Sequence, residues 1–90
     1  MAIVAIIAKV MPDSPDADLK RIERECEHKL NGMKALNISF EEKPVAFGLK
    51  ALMIKFAWPE EQDTSMIENA LGEIEHVSSA TIEDYRRAFG

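Results

Sequence analysis

The chain has one cysteine, Cys26, so an internal disulfide is excluded and a reducing compartment such as the cytoplasm is expected. Its glycines, Gly32, Gly48, Gly72 and Gly90, stand apart from one another, and no glycine-rich loop is available to cradle a phosphate. Basic side chains are scarce: 11 Lys and Arg against 16 Asp and Glu leave a net charge of -5. Phosphate contacts need a clustered basic surface, so a general nucleic-acid binder is disfavoured and a partner with a basic patch fits better. Long apolar runs are missing as well. The opening MAIVAIIAKV is short and lacks a basic leader or a cleavage pattern, so neither a signal peptide nor a membrane span is expected there.

What remains is an ordinary globular composition, 47% hydrophobic and 30% charged over 90 residues. That length predicts one domain, residues 1–90, too small for a deep internal active site, so its sites should lie on the surface. Residues 3–11, IVAIIAKVM, are β-branched and apolar on both alternating faces, which predicts a central strand. Pro12 to Pro15 break it, with Ser14 read as N-cap and Pro15 as the first helical residue. Leu19, Ile22, Cys26 and Leu30 then form one apolar stripe at helical spacing, and Asn31-Gly32 ends the helix.

From residue 36 the period becomes two. Leu36, Ile38 and Phe40 alternate with Asn37, Ser39 and Glu41, as in an edge strand with one wet face. Residues 49–58, LKALMIKFAW, read as a second central strand closed by Pro59. Ser65 and Glu68 suggest a capping box before Met66, Ile67, Ala70, Leu71 and Ile74, and HVSSATIEDYRR supplies a fourth strand. The order βαββαβ predicts an α+β ferredoxin-like sandwich, a four-stranded antiparallel sheet with both helices on one face. In that topology the first and third strands are central, in agreement with their two apolar faces.

Many functions share this fold, so a site must decide. His28 and His76 are distant in sequence, and Cys26 points to a different side of its helix from His28, leaving a small core residue and two surface histidines in place of a metal site. No Ser/His/Asp or Cys/His set shares a region. Glu23, Glu25, Glu27, Glu41 and Glu42 read as solvated faces. An acylphosphatase-type enzyme would need an arginine-bearing phosphate loop after the first strand, where this chain has Met-Pro-Asp-Ser-Pro-Asp. An RNA-recognition sheet would need aromatics on both central strands, and only Phe56 and Trp58 occur, late in the third.

One stretch does not suit a plain hairpin. Between the second and third strands stands KPVAFGLKAL, in which a phenylalanine occupies what should be a short polar connection. With Val10 to Leu19, which follow the pattern V-MP-SP--DL, and a basic pair near the C-terminus, it closely resembles archaeal elongation factor 1-beta and the C-terminal exchange domain of its eukaryotic counterparts, over essentially the whole chain. The resemblance implies guanine nucleotide exchange on elongation factor 1-alpha, the GTPase that delivers aminoacyl-tRNA, by protein contact and without a cofactor. It also implies a monomer when free, with no direct nucleic-acid or membrane contact, and an exchange domain lacking the extra N-terminal regions of eukaryotic members.

By position, the resemblance gives Phe47, with Pro44, Gly48 and Lys50, to the GTPase contact, and Arg87 or Arg86 to the Mg²⁺ region. Eukaryotic members have lysine near the very end, whereas here Ala88-Phe89-Gly90 follow the arginines, and both arginines stay candidates. Without the resemblance, Phe47 would more readily be read as a cap folded over the sheet edge. A regulatory module of the same fold, dimerising through a sheet edge around a small ligand, is the alternative function.

Overall fold

A computed structural model describes residues 2–87. Its elements follow the order β1 (Ile3–Pro12), α1 (Leu19–Gly32), β2 (Leu36–Pro44), a 3₁₀ turn (Ala46–Gly48), β3 (Lys50–Pro59), α2 (Ser65–Gly72) and β4 (Val77–Arg87). The strands form one antiparallel sheet in the order β2-β3-β1-β4, so β1 and β3 are central and β2 and β4 are edges. This is the ferredoxin-like α+β sandwich expected from the alternation pattern.

One face of the sheet makes the core. Val4, Ile6, Ala8 and Val10 of β1 and Leu52, Ile54, Phe56 and Trp58 of β3 alternate inward and are almost completely buried against Ile22, Cys26 and Leu30 of α1 and Ile67 and Leu71 of α2. Phe56 and Trp58 meet edge to face with centroids 6.0 Å apart, and the indole N–H donates to the Gln62 carbonyl at 3.2 Å. A buried indole donor needs such an acceptor. These two aromatics therefore belong to the core and cannot serve as a base-stacking platform.

No described helix covers the opposite face. Ile3, Ile7, Lys9 and Met11 of β1 and Met53 and Ala57 of β3 are only half buried there. The apolar character of both faces of β1 and β3 thus has two causes: one face is core, and the other is sheltered only by neighbouring side chains.

Four local expectations are corrected. The first helix starts at Leu19, not Pro15. Ser14 and Ala17 close a turn through an Ala17 N–H to Ser14 O bond of 3.2 Å, with Pro15 at the second turn position, and Asp18 then caps α1 by accepting from the Arg21 N–H. At α2 the Ser65–Glu68 capping box does not form. Asp63 accepts from the Ser65 N–H at 2.9 Å, which holds its carboxyl below the usual aspartate pKa, and the Glu68 carboxylate instead takes the Ile82 N–H of β4 at 3.0 Å. Ile74 lies beyond α2, in the turn into β4, yet remains core. In β2 the register shifts between Leu36 and Ser39, with Asn37 at φ 55°, so Leu36 leaves the core face on which Ile38 and Phe40 pack and is 57% exposed.

Candidate functional site

The hairpin joining β2 to β3 is compact and stiff. Pro44, the last residue of β2, pairs with Lys50, the first of β3. Inside that pair the Val45 N–H donates to the Leu49 carbonyl at 2.9 Å, and the Leu49 N–H returns to the Ala46 carbonyl at 3.3 Å. Two consecutive residues, Phe47 (φ 63°) and Gly48 (φ 74°), are left-handed. Glycine takes this conformation freely, but a phenylalanine does so at a cost of about 1–2 kcal/mol. The ring gains no burial in return: Phe47 is 92% exposed. It is not folded over the sheet edge.

The β1–α1 turn backs this hairpin. A Cβ built on Gly48 would lie 4.0 Å from Pro15 Cβ, and a shallow cleft beside it is lined by Pro15, Lys20, Glu42, Gly48 and Lys50. Lys50 sits 3.9 Å from Glu42 across the hairpin base, both partly exposed. Exposed pairs of this kind add little stability, so Lys50 remains free to exchange partners.

Arg86 and Arg87 lie at the other end of the sheet. Val4, near the start of β1, pairs with Arg87 and Ala5 pairs with Arg86, whereas Val10, six residues further along β1, pairs with Leu52 just beyond the hairpin. Those six steps alone span about 20 Å at a rise of roughly 3.3 Å per residue, and the whole molecule measures 41 Å in its longest dimension. The candidate residues thus form two groups: Pro44, Phe47, Gly48 and Lys50 at one end, Arg86 and Arg87 at the other.

The arginines are held differently. Arg86 shares its face of β4 with Asp84, and its Nε lies 2.9 Å from that carboxylate, a contact within one strand. Arg87 donates from Nε to Glu60, which follows β3, and this hydrogen bond, more than the charge attraction, holds its guanidinium further above the ordinary arginine pKa. Asp84 follows from the period of two along the strand, but Glu60 was not legible in the sequence. Glu60 and Arg87 are 27 residues apart, and only the common anchoring of Pro59 and Arg87 on the start of β1 brings them together.

Other chemistry-bearing groups are accounted for. Cys26 is buried, and loss of hydration there, followed by the charges of Glu23 and Glu25, pushes its thiol up to about 12, so it is protonated and inert at neutral pH. His28 is exposed on α1. His76, at φ 71°, faces Asp13 at 3.4 Å and Glu75 at 3.6 Å beside a cleft of mixed charge between α1 and the α2–β4 connection. Among the described residues no group of three His, Cys, Asp or Glu side chains is arranged to hold a metal, and no buried side-chain polar atom lacks a hydrogen bond. No described helix is long and apolar enough to cross a membrane.

Comparison with known proteins agrees with the hairpin signature. Relatives named elongation factor 1-beta match nearly end to end: that of Halobacterium salinarum is 38% identical over 97% of this chain and 99% of its own. Those of Methanothermobacter thermautotrophicus and Aeropyrum pernix are 36% and 37% identical, each over 97% of this chain and 98% of their own. Residues 5–88 match the model of the EF-1 guanine nucleotide exchange domain, and the chain belongs to that family of translation elongation exchange factors.

Proposed function

We propose that this chain promotes exchange of GDP for GTP on elongation factor 1-alpha purely by protein contact, with Phe47 as the anchor and Arg87 approaching the Mg²⁺ and phosphate region. The observation that carries this reading is Phe47 itself, a large ring held in a costly backbone conformation and left 92% exposed. Backbone strain that persists without a packing gain points to use at a contact surface. An aromatic on a stiff hairpin offers large area with little rotamer entropy to lose.

A GTPase retains GDP through its phosphate loop and a Mg²⁺ that neutralises phosphate charge. A cation brought to that site competes with the ion, and weakening the ion weakens the nucleotide. Linkage fixes the rest: if the exchange factor binds the empty GTPase more tightly than the loaded one, it must loosen the nucleotide by the same factor. It accelerates both directions and leaves the preference between GDP and GTP unchanged. The separation of Phe47 from Arg87 suits such a task, because the hairpin can grip one part of the GTPase while the far end of the sheet reaches its nucleotide site. In this reading the chain works as a cytoplasmic monomer and makes no direct contact with nucleic acid.

The test is release of a fluorescent GDP from elongation factor 1-alpha of the same source, with wild type, Phe47→Ala and Arg87→Ala. Acceleration by wild type, lost in Arg87→Ala while binding persists, supports ion displacement. An unchanged release rate with wild type overturns the exchange reading.

A further inference from the structure

Arg86 and Arg87 are similarly exposed, adjacent and alike in chemistry, yet among the described residues only Arg87 is tied to a second structural element. The Glu60 backbone N–H donates to the Ala2 carbonyl at 3.1 Å, which fixes the β3–α2 connection to the start of β1, and Arg87 is fixed to the same end through its pairing with Val4. The Glu60 side chain is largely covered, at 29% exposure, whereas that of Arg87 is 74% exposed. The carboxylate is therefore the base of the pair and the guanidinium its tip. The bond uses Nε, the donor nearest the stem, and four of the five guanidinium N–H donors belong to the two terminal amino groups beyond it.

We propose that Glu60 is the positioning residue of Arg87: by accepting from Nε it aims the terminal amino groups outward and sets which of the two arginines engages the anionic site of the GTPase. This inference rests on the exchange reading above. An arginine loses much side-chain freedom when it is fixed in a complex, and holding it by its stem beforehand removes part of that cost from the step in which it acts. Among the described residues Arg86 has no such anchor, since Asp84 lies two residues away on the same strand and moves with it.

The test is GDP release at saturating and subsaturating concentrations of the factor, using Glu60→Ala, Glu60→Gln, Arg87→Ala and the double variant Glu60→Ala/Arg87→Ala, with a thermal melt of each. Glutamine keeps an acceptor for Nε while removing the charge, so Glu60→Gln should stay within about twofold of wild type. Glu60→Ala should lower the saturated release rate about fivefold, the range expected for one freed side chain, with the half-saturating concentration and melting point unchanged. In the double variant the Glu60 effect should vanish.

If Arg87→Ala is defective but Glu60→Ala matches or exceeds wild type, positioning is wrong and the exchange reading survives. Equal acceleration by Glu60→Ala and Glu60→Gln would make Glu60 a brake, which also overturns the proposal. If Arg87→Ala behaves as wild type, the arginine reading and this inference fall together.

Discussion

The two ends of the sheet solve the same problem, presenting a side chain to a partner, by different physics. At the hairpin end, order comes from the backbone. The Pro44–Lys50 pair, the bonds between Val45, Ala46 and Leu49, and two successive left-handed residues leave Phe47 little freedom, and the ring itself touches almost nothing. At the arginine end the backbone is an ordinary strand terminus, and order comes from side-chain charge pairing, hydrogen-bonded for Arg87 with Glu60 and a simple ion pair for Arg86 with Asp84. A contact organised by the backbone is insensitive to salt and suited to gripping. One organised by exposed ion pairs weakens with salt, and at Arg87 it occupies only Nε, leaving the outer amino groups to meet a second anion.

If that division is real, removing the arginine should affect the rate most and removing the phenylalanine should affect affinity most. For Arg87→Ala we expect the saturated GDP release rate to fall about a hundredfold, the scale on which loss of one placed electrostatic donor is felt, while complex formation in a binding titration changes little. A loss of affinity with a normal saturated rate would give both ends the same job. For Phe47→Ala we expect the reverse: affinity weaker by about 2 kcal/mol, in the range of an interface hot spot, with the saturated rate and the melting point preserved.

Salt offers a milder way to sharpen the contrast. Raising ionic strength from about 0.05 to about 0.5 M shortens the screening length severalfold. Association of wild type with the GTPase should slow, and stopped-flow measurement on Phe47→Ala should show the same slope, because the hairpin contributes no charge through this residue. In Arg87→Ala the slope should be shallower. A salt slope that depends on Phe47 and not on Arg87 would invert the assignment of the two ends.

How much of this was visible in the chain depends on whether the signal is local. The strand order was legible because β1 and β3 carry apolar residues on both faces, and the hairpin was legible because Phe-Gly interrupts a polar connection. The start of α1 was misread because Ser14 and Asp18 can both cap a helix, and the choice between them is made by the turn that Pro15 starts. Leu36 was misplaced because period two holds only while the register holds, and the irregularity at Asn37 exists only in the pairing with β3. Glu60 was invisible for the same reason: its significance is a matter of which strand ends meet.

The smallest effect is the most discriminating for the hairpin. If Phe47 is kept in a left-handed conformation for contact alone, the folded protein should gain from its removal, provided the replacement accepts positive φ. Alanine does not test this, since it keeps a Cβ and therefore the strain. Glycine does. Relief of the strained conformation, offset by the greater freedom of glycine in the unfolded chain, should leave Phe47→Gly more stable than Phe47→Ala by up to about 1 kcal/mol. Chemical denaturation with unchanged slope would read the difference directly. The same variant should bind the GTPase no better than Phe47→Ala, because glycine restores backbone ease without restoring the ring. If instead Phe47→Ala and Phe47→Gly were both clearly less stable than wild type, the ring would have to make stabilising contacts in solution, and the residue would return to being a structural cap.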